Sequence, residues 1–426
     1  MKKTTEKIIE LLKFGDKKGF FHLLTANLLI QVVAFASQLF VAGILNPEDI
    51  GRIKIILTFL SVFSVIGGMG FNASTLKLCS ENKTDLEKYK LLYSGVIFTL
   101  VSTIFLYLMV LLINAFGLFS KDHLITLLIP LGLFPLISNS LFGVFTAYFQ
   151  SVKKIKYLSG LTISNKLIAI IFIILFSYIW GVKGYYVAFN ISFLIMLIPC
   201  VNFLLNQRKI YKSEKFELKE QFSPHWFFAR KSIFANLISE FSSYLDILLI
   251  NLLITDMKEI GFYSFALTLI VALRIFPGTV QQIATPYFSA STHDSKNFMQ
   301  IFRHYNKQLY IVVISTLVFV VFFVPPAIHL IFNEKYNNSI IYFYLLAIGW
   351  SIRQLSQLQT GAIFGLGKIH FNAYSNLFIA IFNLITIPIA IHYFGLVGVA
   401  AISIPSNLLF ALITRFYLQK AVNQIL

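Results

Sequence analysis

Leu91–Ile113 reads LLYSGVIFTLVSTIFLYLMVLLI, twenty-three residues without a charge. As an α-helix rising 1.5 Å per residue it is roughly 35 Å long. A bilayer's hydrocarbon core is about 30 Å thick, so this stretch spans it once as a helix. A membrane β-strand would instead show about ten residues of alternating polarity. Runs of the same kind recur at roughly 23–45, 55–76, 124–147, 157–179, 185–204, 232–254, 262–286, 308–330, 340–366, 371–393 and 397–418. With 91–113 they predict an all-α membrane protein of about twelve transmembrane helices.

Composition agrees. Of the 426 residues 57% are hydrophobic and 12% charged, with mean hydropathy +0.78. A soluble domain carries about 25% charged residues, so lipid rather than water must face most of this surface. The net charge of +17 does not point to nucleic acid, because the basic residues sit in short connections between apolar runs. Of 35 Lys and Arg, 26 fall on the side that carries the N-terminus and 6 in the opposite loops. That excess places both termini in the cytoplasm. The first apolar run is too long for a cleaved signal segment and lacks a small-residue cleavage site. Cys79 and Cys200 make neither a disulfide framework nor a metal spacing, and the eight histidines are scattered. No zinc-protease, Walker or dinucleotide fingerprint is present, so no cofactor is expected.

The chain divides at its longest hydrophilic stretch. Residues 1–22 are a basic, amphipathic segment expected at the membrane surface, with Ile8, Leu11 and Leu12 on one face. Residues 23–205 form a first six-helix bundle, 206–231 a basic cytoplasmic linker, 232–418 a second bundle and 419–426 a tail. The bundles repeat. Asp49-Ile50-Gly51 matches Glu259-Ile260-Gly261 at an offset of 210, and Lys154-Ile155, Gly181 and Gly184 match Lys368-Ile369, Gly395 and Gly398 at 214. Even-numbered repeats enter the membrane from the same side. Such parallel repeats pack as two pseudo-symmetric bundles around a central cavity in transporters.

Several repeat residues also carry a resemblance. Leu45-Asn46-Pro47-Glu48-Asp49-Ile50-Gly51 is similar to the L-x-P-x-x-x-G turn of bacterial polysaccharide exporters, and Gly68-Met69-Gly70-Phe71, with Ala73 and Lys77, to the end of their second helix. Ile331-Phe332-Asn333-Glu334-Lys335-Tyr336 resembles their outer loop, with Asn333 replacing the usual glycine. Gly365-Leu366-Gly367-Lys368 and Phe394-Gly395-Leu396-Val397-Gly398-Val399-Ala400 resemble the last connection and the entry to the last helix. In order and spacing, over the whole chain, these resemble the Wzx-type O-antigen flippases of the multidrug/oligosaccharidyl-lipid/polysaccharide exporter superfamily. The resemblance implies a non-enzymatic flippase in the bacterial inner membrane. It would carry undecaprenyl-diphosphate-linked oligosaccharide, an O-antigen or related lipopolysaccharide repeat unit, from the inner to the outer leaflet by alternating access. A polysaccharide polymerase and a chain-length regulator are further expected partners. The rival readings are a cation-coupled drug antiporter of the same superfamily and a membrane polymerase or ligase. The outer loops, about ten residues or fewer, leave the last little room for sugar chemistry.

Five charges fall inside the apolar runs: Lys166, Glu240, Asp246, Arg274 and Arg353. Facing lipid at a helix centre, each would cost roughly 2.5–3.5 kcal/mol. They therefore face a wet cavity or pair with each other. The three cations lie near the midplane, where they suit a lipid diphosphate; arginine grips phosphate oxygens in a bidentate fork. The structural alternative is that Asp246 or Glu240 neutralises Arg274. As the only carboxylates within the runs, Glu240 and Asp246 are also the candidates for coupling to a proton or Na⁺ gradient. Gln31 and Gln38, with Asn27, share one face of the first helix, and Gln357 lies a turn from Arg353. All three glutamines are candidate substrate contacts, although such residues more often make interhelical hydrogen bonds. Prolines inside many of the runs, Pro130, Pro135 and Pro277 among them, are candidate kinks.

Overall fold

The computed structural model of the protein describes residues 20–211, 217–291 and 295–424. Most of the expected amphipathic segment 1–22, and the last two residues of the tail, lie outside the described residues. All regular structure among the described residues is helical.

Helix α1 is Phe20–Ile44. Helix α2 comes in two halves, Pro47–Gly68 and Phe71–Ser80. Helix α3 is Asp85–Ala115, and α4 is broken into His123–Leu133 and Pro135–Ser151. One helical stretch, Ile155–Ile210, turns at Gly181 and supplies α5 and α6. The second set begins with α7, Leu218–Leu253. Helix α8 is broken into Met257–Leu273 and Ile275–Ala290, α9 is Ser295–Phe332, and α10 is broken into Ser339–Leu355 and Gln357–Gly365. Ile369–Asn423 turns at Gly395 to give α11 and α12. Twelve passes in two six-helix bundles result, as the sequence predicts.

The helices outrun the apolar stretches. The basic linker placed at 206–231 is mostly helix, since α6 continues to Ile210 and α7 starts at Leu218; α12 runs through the expected tail to Asn423. Hydropathy marks only the part of a helix inside hydrocarbon, whereas backbone hydrogen bonding continues into the interface. Local caps fix several starts. Thr84 and Glu87 form a reciprocal capping box at α3, and the Asp122 and Asp256 carboxylates accept from the first amides of α4 and α8. Pro47 opens α2, with Glu48 and Asp49 in its first turn. That polar turn hid the start of α2 from hydropathy. Arg52 and Lys54, assigned to an outer loop by sequence, therefore lie inside the helix. Arg52 is structural, pairing with Asp49 at 2.9 Å and with Asp122 at 3.1 Å.

The repeat is written in the backbone. Gly181 has φ 60° and ψ −142°, and Gly395 φ 60° and ψ −147°, a conformation suited to glycine. Each turn reverses the chain: a Cβ on Gly184 would meet the carbonyl of Phe176, and one on Gly398 the carbonyl of Ala390. Residues eight apart in a straight helix would be about 12 Å apart. The breaks also repeat, falling in α2 and α8 and in α4 and α10. Two of them have a proline cause. Pro135 has no N–H for the carbonyl of Leu131, which instead accepts from the Asn190 side chain at 2.8 Å. Pro277 likewise leaves the Leu273 carbonyl without its helical partner, and α8 breaks at Arg274.

The face carrying the 81–84 and 152–154 connections, called here the basic face, and the opposite face are built differently. At the opposite face the bundles touch directly. A Cβ on Gly51 would stand 2.9 Å from the carbonyl oxygen of Met257, and one on Gly261 would strike the Pro47 carbonyl. Residues 51 and 261, and 47 and 257, are the same 210 apart, so α2 and α8 cross on the pseudo-twofold axis. Beside the crossing, Lys335 Nζ donates to the carbonyls of Ala42 and Gly43 at 2.9 Å each, and the Tyr336 hydroxyl to Ala42 at 3.1 Å. Asn251 ties α7 to the Phe119 carbonyl at 2.7 Å. Toward the basic face, among the described residues, α7 bridges the bundles. Its first turns dock into the first bundle, where buried His225 meets Ser74 Oγ at 2.7 Å, Ser94 Oγ at 3.2 Å and the Leu91 carbonyl at 3.1 Å. Farther along, Ser242 donates to the Asn376 carbonyl of α11.

Candidate functional site

Three cavities hold the buried charges, two of them lined in part by α7. The first, about 200 Å³, lies within the second bundle among α7, α8, α10, α11 and α12, and is lined by Asp246, Arg274, Trp350, Arg353, Asn383 and Asn407. The break that Pro277 causes in α8 sets Arg274 at the cavity, where its side chain is exposed. Arg353, in the last turn before the break in α10, lays its guanidinium 3.2 Å from the Phe410 ring centroid. A desolvated cation over a ring gains about 2 kcal/mol. Asp246 Oδ2 accepts from the buried Tyr263 hydroxyl at 2.9 Å. Trp350 Nε1 and Asn383 Oδ1 line this space without a protein partner. A buried polar atom left so costs about 1–3 kcal/mol, so the cavity suits water or a polar ligand.

The second, about 280 Å³, is a mostly apolar cleft among α1, α2, α5, α6 and α8 that holds Gln38, Lys54 and Lys166. The third, about 360 Å³, lies among α2, α4 and α7 and is polar, with Ser61, Ser64, Asn72, Asn139, Asn236 and Glu240 on its walls. Tyr244 lines the third cavity, and Lys54 stands 5.9 Å from its ring centroid. Asp246 is within electrostatic reach of Lys54 and Arg274, and Arg274 of Arg353. A line of cations thus runs from Lys54 on α2 across α7 to Arg274 and Arg353, with Asp246 among them.

The residues singled out by sequence are only partly brought together. Asp246, Arg274 and Arg353 share one cavity. Lys166 faces the neighbouring cleft from the first bundle, with Gln38 in the same cleft. Glu240 looks into the third cavity, away from Arg274, and so does not neutralise it. Asp246 is near Arg274, yet no ion pair within 4.0 Å joins them among the described residues. Gln31 is exposed and lines none of the three cavities. Gln357 donates to Gln281 Oε1 at 2.5 Å across α8 and α10, an interhelical bond. Asn27 has no described side chain. Lys54 is the residue that sequence reading missed; the helix-start signature at Pro47 was the signal that could have found it.

Twelve passes, two pseudo-symmetric bundles and a polar interior between them define a two-lobed multi-span membrane protein. The fold is that of the lipid II flippase MurJ in its inward closed conformation, with TM-score 0.75 and 17% identity over 95% of this chain and 90% of that one. It is likewise similar to an inward-facing multidrug resistance MATE family transporter of the MOP superfamily, with TM-score 0.67 and 12% identity over 93% and 95%. In sequence it is 21% identical to an uncharacterized membrane protein of Methanocaldococcus jannaschii, over 95% of this chain and 84% of that protein. The chain belongs to the polysaccharide biosynthesis protein family, whose pattern matches residues 17–292.

Proposed function

We propose that this protein is a flippase and not an enzyme. It moves an undecaprenyl-diphosphate-linked oligosaccharide, an O-antigen or related surface-polysaccharide unit, from the cytoplasmic to the periplasmic leaflet by alternating access. The observation that carries this reading is the row of cations, Lys54, Arg274 and Arg353, running from α2 across α7, with Lys166 in the adjoining cleft. A diphosphate cannot leave the interfacial water unless cations replace its hydration, and charge-assisted hydrogen bonds do so. Four cations against two carboxylates in these cavities suit an anionic cargo. The basic face lies in the cytoplasm in this reading, as the charge asymmetry requires. Closure at the opposite face then leaves the cations to load from the cytoplasmic side. Gln38 adds a neutral hydrogen-bonding group to the same cleft. Gln31 and Gln357 are secondary contacts, reached only if the cavity widens during the cycle.

The test is export of surface polysaccharide in a deletion strain complemented with variants. Lys54→Ala, Lys166→Ala and Arg353→Ala abolish export while membrane levels, followed by immunoblot, stay unchanged. Arg353→Lys keeps part of it, since the charge survives without the fork. Wild-type export by all three alanine variants would sink the proposal. The likeness to a MATE transporter favours a second reading, drug antiport. A deletion strain that becomes drug-sensitive with unaltered polysaccharide would establish that reading instead.

A further inference from the structure

A larger cavity than these three lies away from the cation row. On the basic face, α3, the end of α6 and the start of α7 border about 910 Å³. Lys90, Arg208 and Lys209 supply three cations to its lining, and among the described lining residues none carries a carboxylate. Glu87, three residues before Lys90 on α3, is turned back on its own helix start, accepting from the Thr84 amide at 2.8 Å and the Thr84 hydroxyl at 2.9 Å. Buried Tyr89 stacks on Tyr211 with ring centroids 5.3 Å apart, which makes a rigid aromatic wall. The amides of Asn202 and Asn206 complete the polar part.

Depth orders these groups. Lys90 is five residues from the start of α3, and Arg208 and Lys209 are at the last residues of α6. All three sit where helix ends meet lipid headgroups. Asn202, eight residues before the end of α6, is roughly 12 Å deeper. Leu205 is 47% exposed and Ile198 56%, so this side of α6 faces the bilayer. Cations at headgroup level, aromatic and amide groups beneath and an aliphatic flank toward lipid match an amphiphile whose anionic end is a phosphate. Basic and aromatic residues are common at membrane interfaces. A half-open pocket with a volume in the range of small-molecule sites, with three cations and no acid among its described lining residues, is not.

We propose that this pocket binds the phosphate headgroup of a lipid from the leaflet at the basic face, at a site separate from the translocation cavities. Two lipid sources share that chemistry, an anionic glycerophospholipid and a polyprenyl phosphate. The site does not depend on the flippase reading, because its test measures binding alone. Delipidated full-length protein in neutral detergent is offered dioleoylphosphatidylglycerol, farnesyl monophosphate, dioleoylphosphatidylcholine or inorganic phosphate, and retained adducts are read by native mass spectrometry. A single adduct is expected with either or both of the first two, at least tenfold above phosphatidylcholine. The stronger of the two identifies the source. Each cation is worth about fivefold near an anionic lipid. Lys90→Gln/Arg208→Gln/Lys209→Gln therefore lowers retention about 100-fold. Arg208→Gln/Lys209→Gln, confined to exposed positions that leave the core intact, lowers it about 25-fold. Equal retention of phosphatidylcholine, equal occupancy by inorganic phosphate, or unchanged retention in the double variant overturns the proposal.

Discussion

Gly51 and Gly261 show what one missing methyl group allows. Each lets a backbone carbonyl of the other bundle come within contact, so any side chain there must force α2 and α8 apart. Gly51→Val is expected to open the crossing at the opposite face, because overpacking a close contact costs about 1–3 kcal/mol. Ser264, buried on α8 below the crossing, reports it. With Ser264→Cys added, labelling by a membrane-impermeant thiol reagent should rise several-fold in Gly51→Val over the glycine parent; equal labelling would show that the crossing is not a gate. Lys335 acts on the same closure by satisfying carbonyls at the end of α1, where helical partners run out. Deep in the site, Asp246 and Glu240 serve different cavities. If Asp246 carries the coupling ion, Asp246→Asn should abolish the dependence of transport on an imposed H⁺ or Na⁺ gradient while Glu240→Gln retains it. Gradient dependence unchanged in both variants would remove coupling from these residues.

Breaks and docking points decide what the elements do. Pro277 takes one hydrogen bond from α8, and the break at Arg274 follows. Pro277→Ala restores the N–H that the Leu273 carbonyl lacks, straightens α8 and swings Arg274 from the cavity. We expect polysaccharide export to fall at least tenfold with membrane levels retained, whereas export at the parental level would show that the break does not position Arg274. Helix α7 docks in both bundles. The Leu91 carbonyl can only accept, so the His225 proton belongs on Nε2, and Nδ1 is left to accept from Ser74. His225→Leu removes all three contacts from a buried site. It should cost about 1–3 kcal/mol and show as a lower melting temperature in detergent, with faster amide exchange over 218–230. Gly70, with φ 66° and a Cβ position 2.6 Å from the Ala229 carbonyl, permits that docking and tolerates no larger residue.

At the scale of the molecule, closure at one face and a bridging helix at the other describe a body poised to rock about α7. Under the proposed function one bundle would move against the other, as parallel repeats do in transporters. Orientation is the premise on which cargo direction rests. Reporter fusions at Glu214 should be cytoplasmic and those at Asn337 periplasmic; both on one side would contradict twelve passes. How much of this was legible differs by level. The runs such as Leu91–Ile113, the two-bundle division and the glycines at 181 and 395 were readable, because a helix in lipid needs about twenty apolar residues and a tight reversal needs glycine. Lys54 was not, because Pro47, Glu48 and Asp49 make the start of α2 look like a loop. The hydrogen-bond partner of Gln357 was not legible either, because Gln281 lies 76 residues away.

The linear order of apolar and charged residues by itself determined that the chain crosses the membrane about twelve times, which face is basic, and that its halves repeat. Those properties come from transferring each segment into lipid, a sum over neighbours in sequence. Only the tertiary structure decided that Arg274 and Arg353 share a cavity with Asp246, that Glu240 looks elsewhere, and that Lys54 joins them from the other bundle. Which side of a helix turns inward is set by its rotation and by contacts with residues hundreds of positions away, as where Lys335 meets Ala42. A buried charge announces in sequence that it needs a partner; only packing chooses which one.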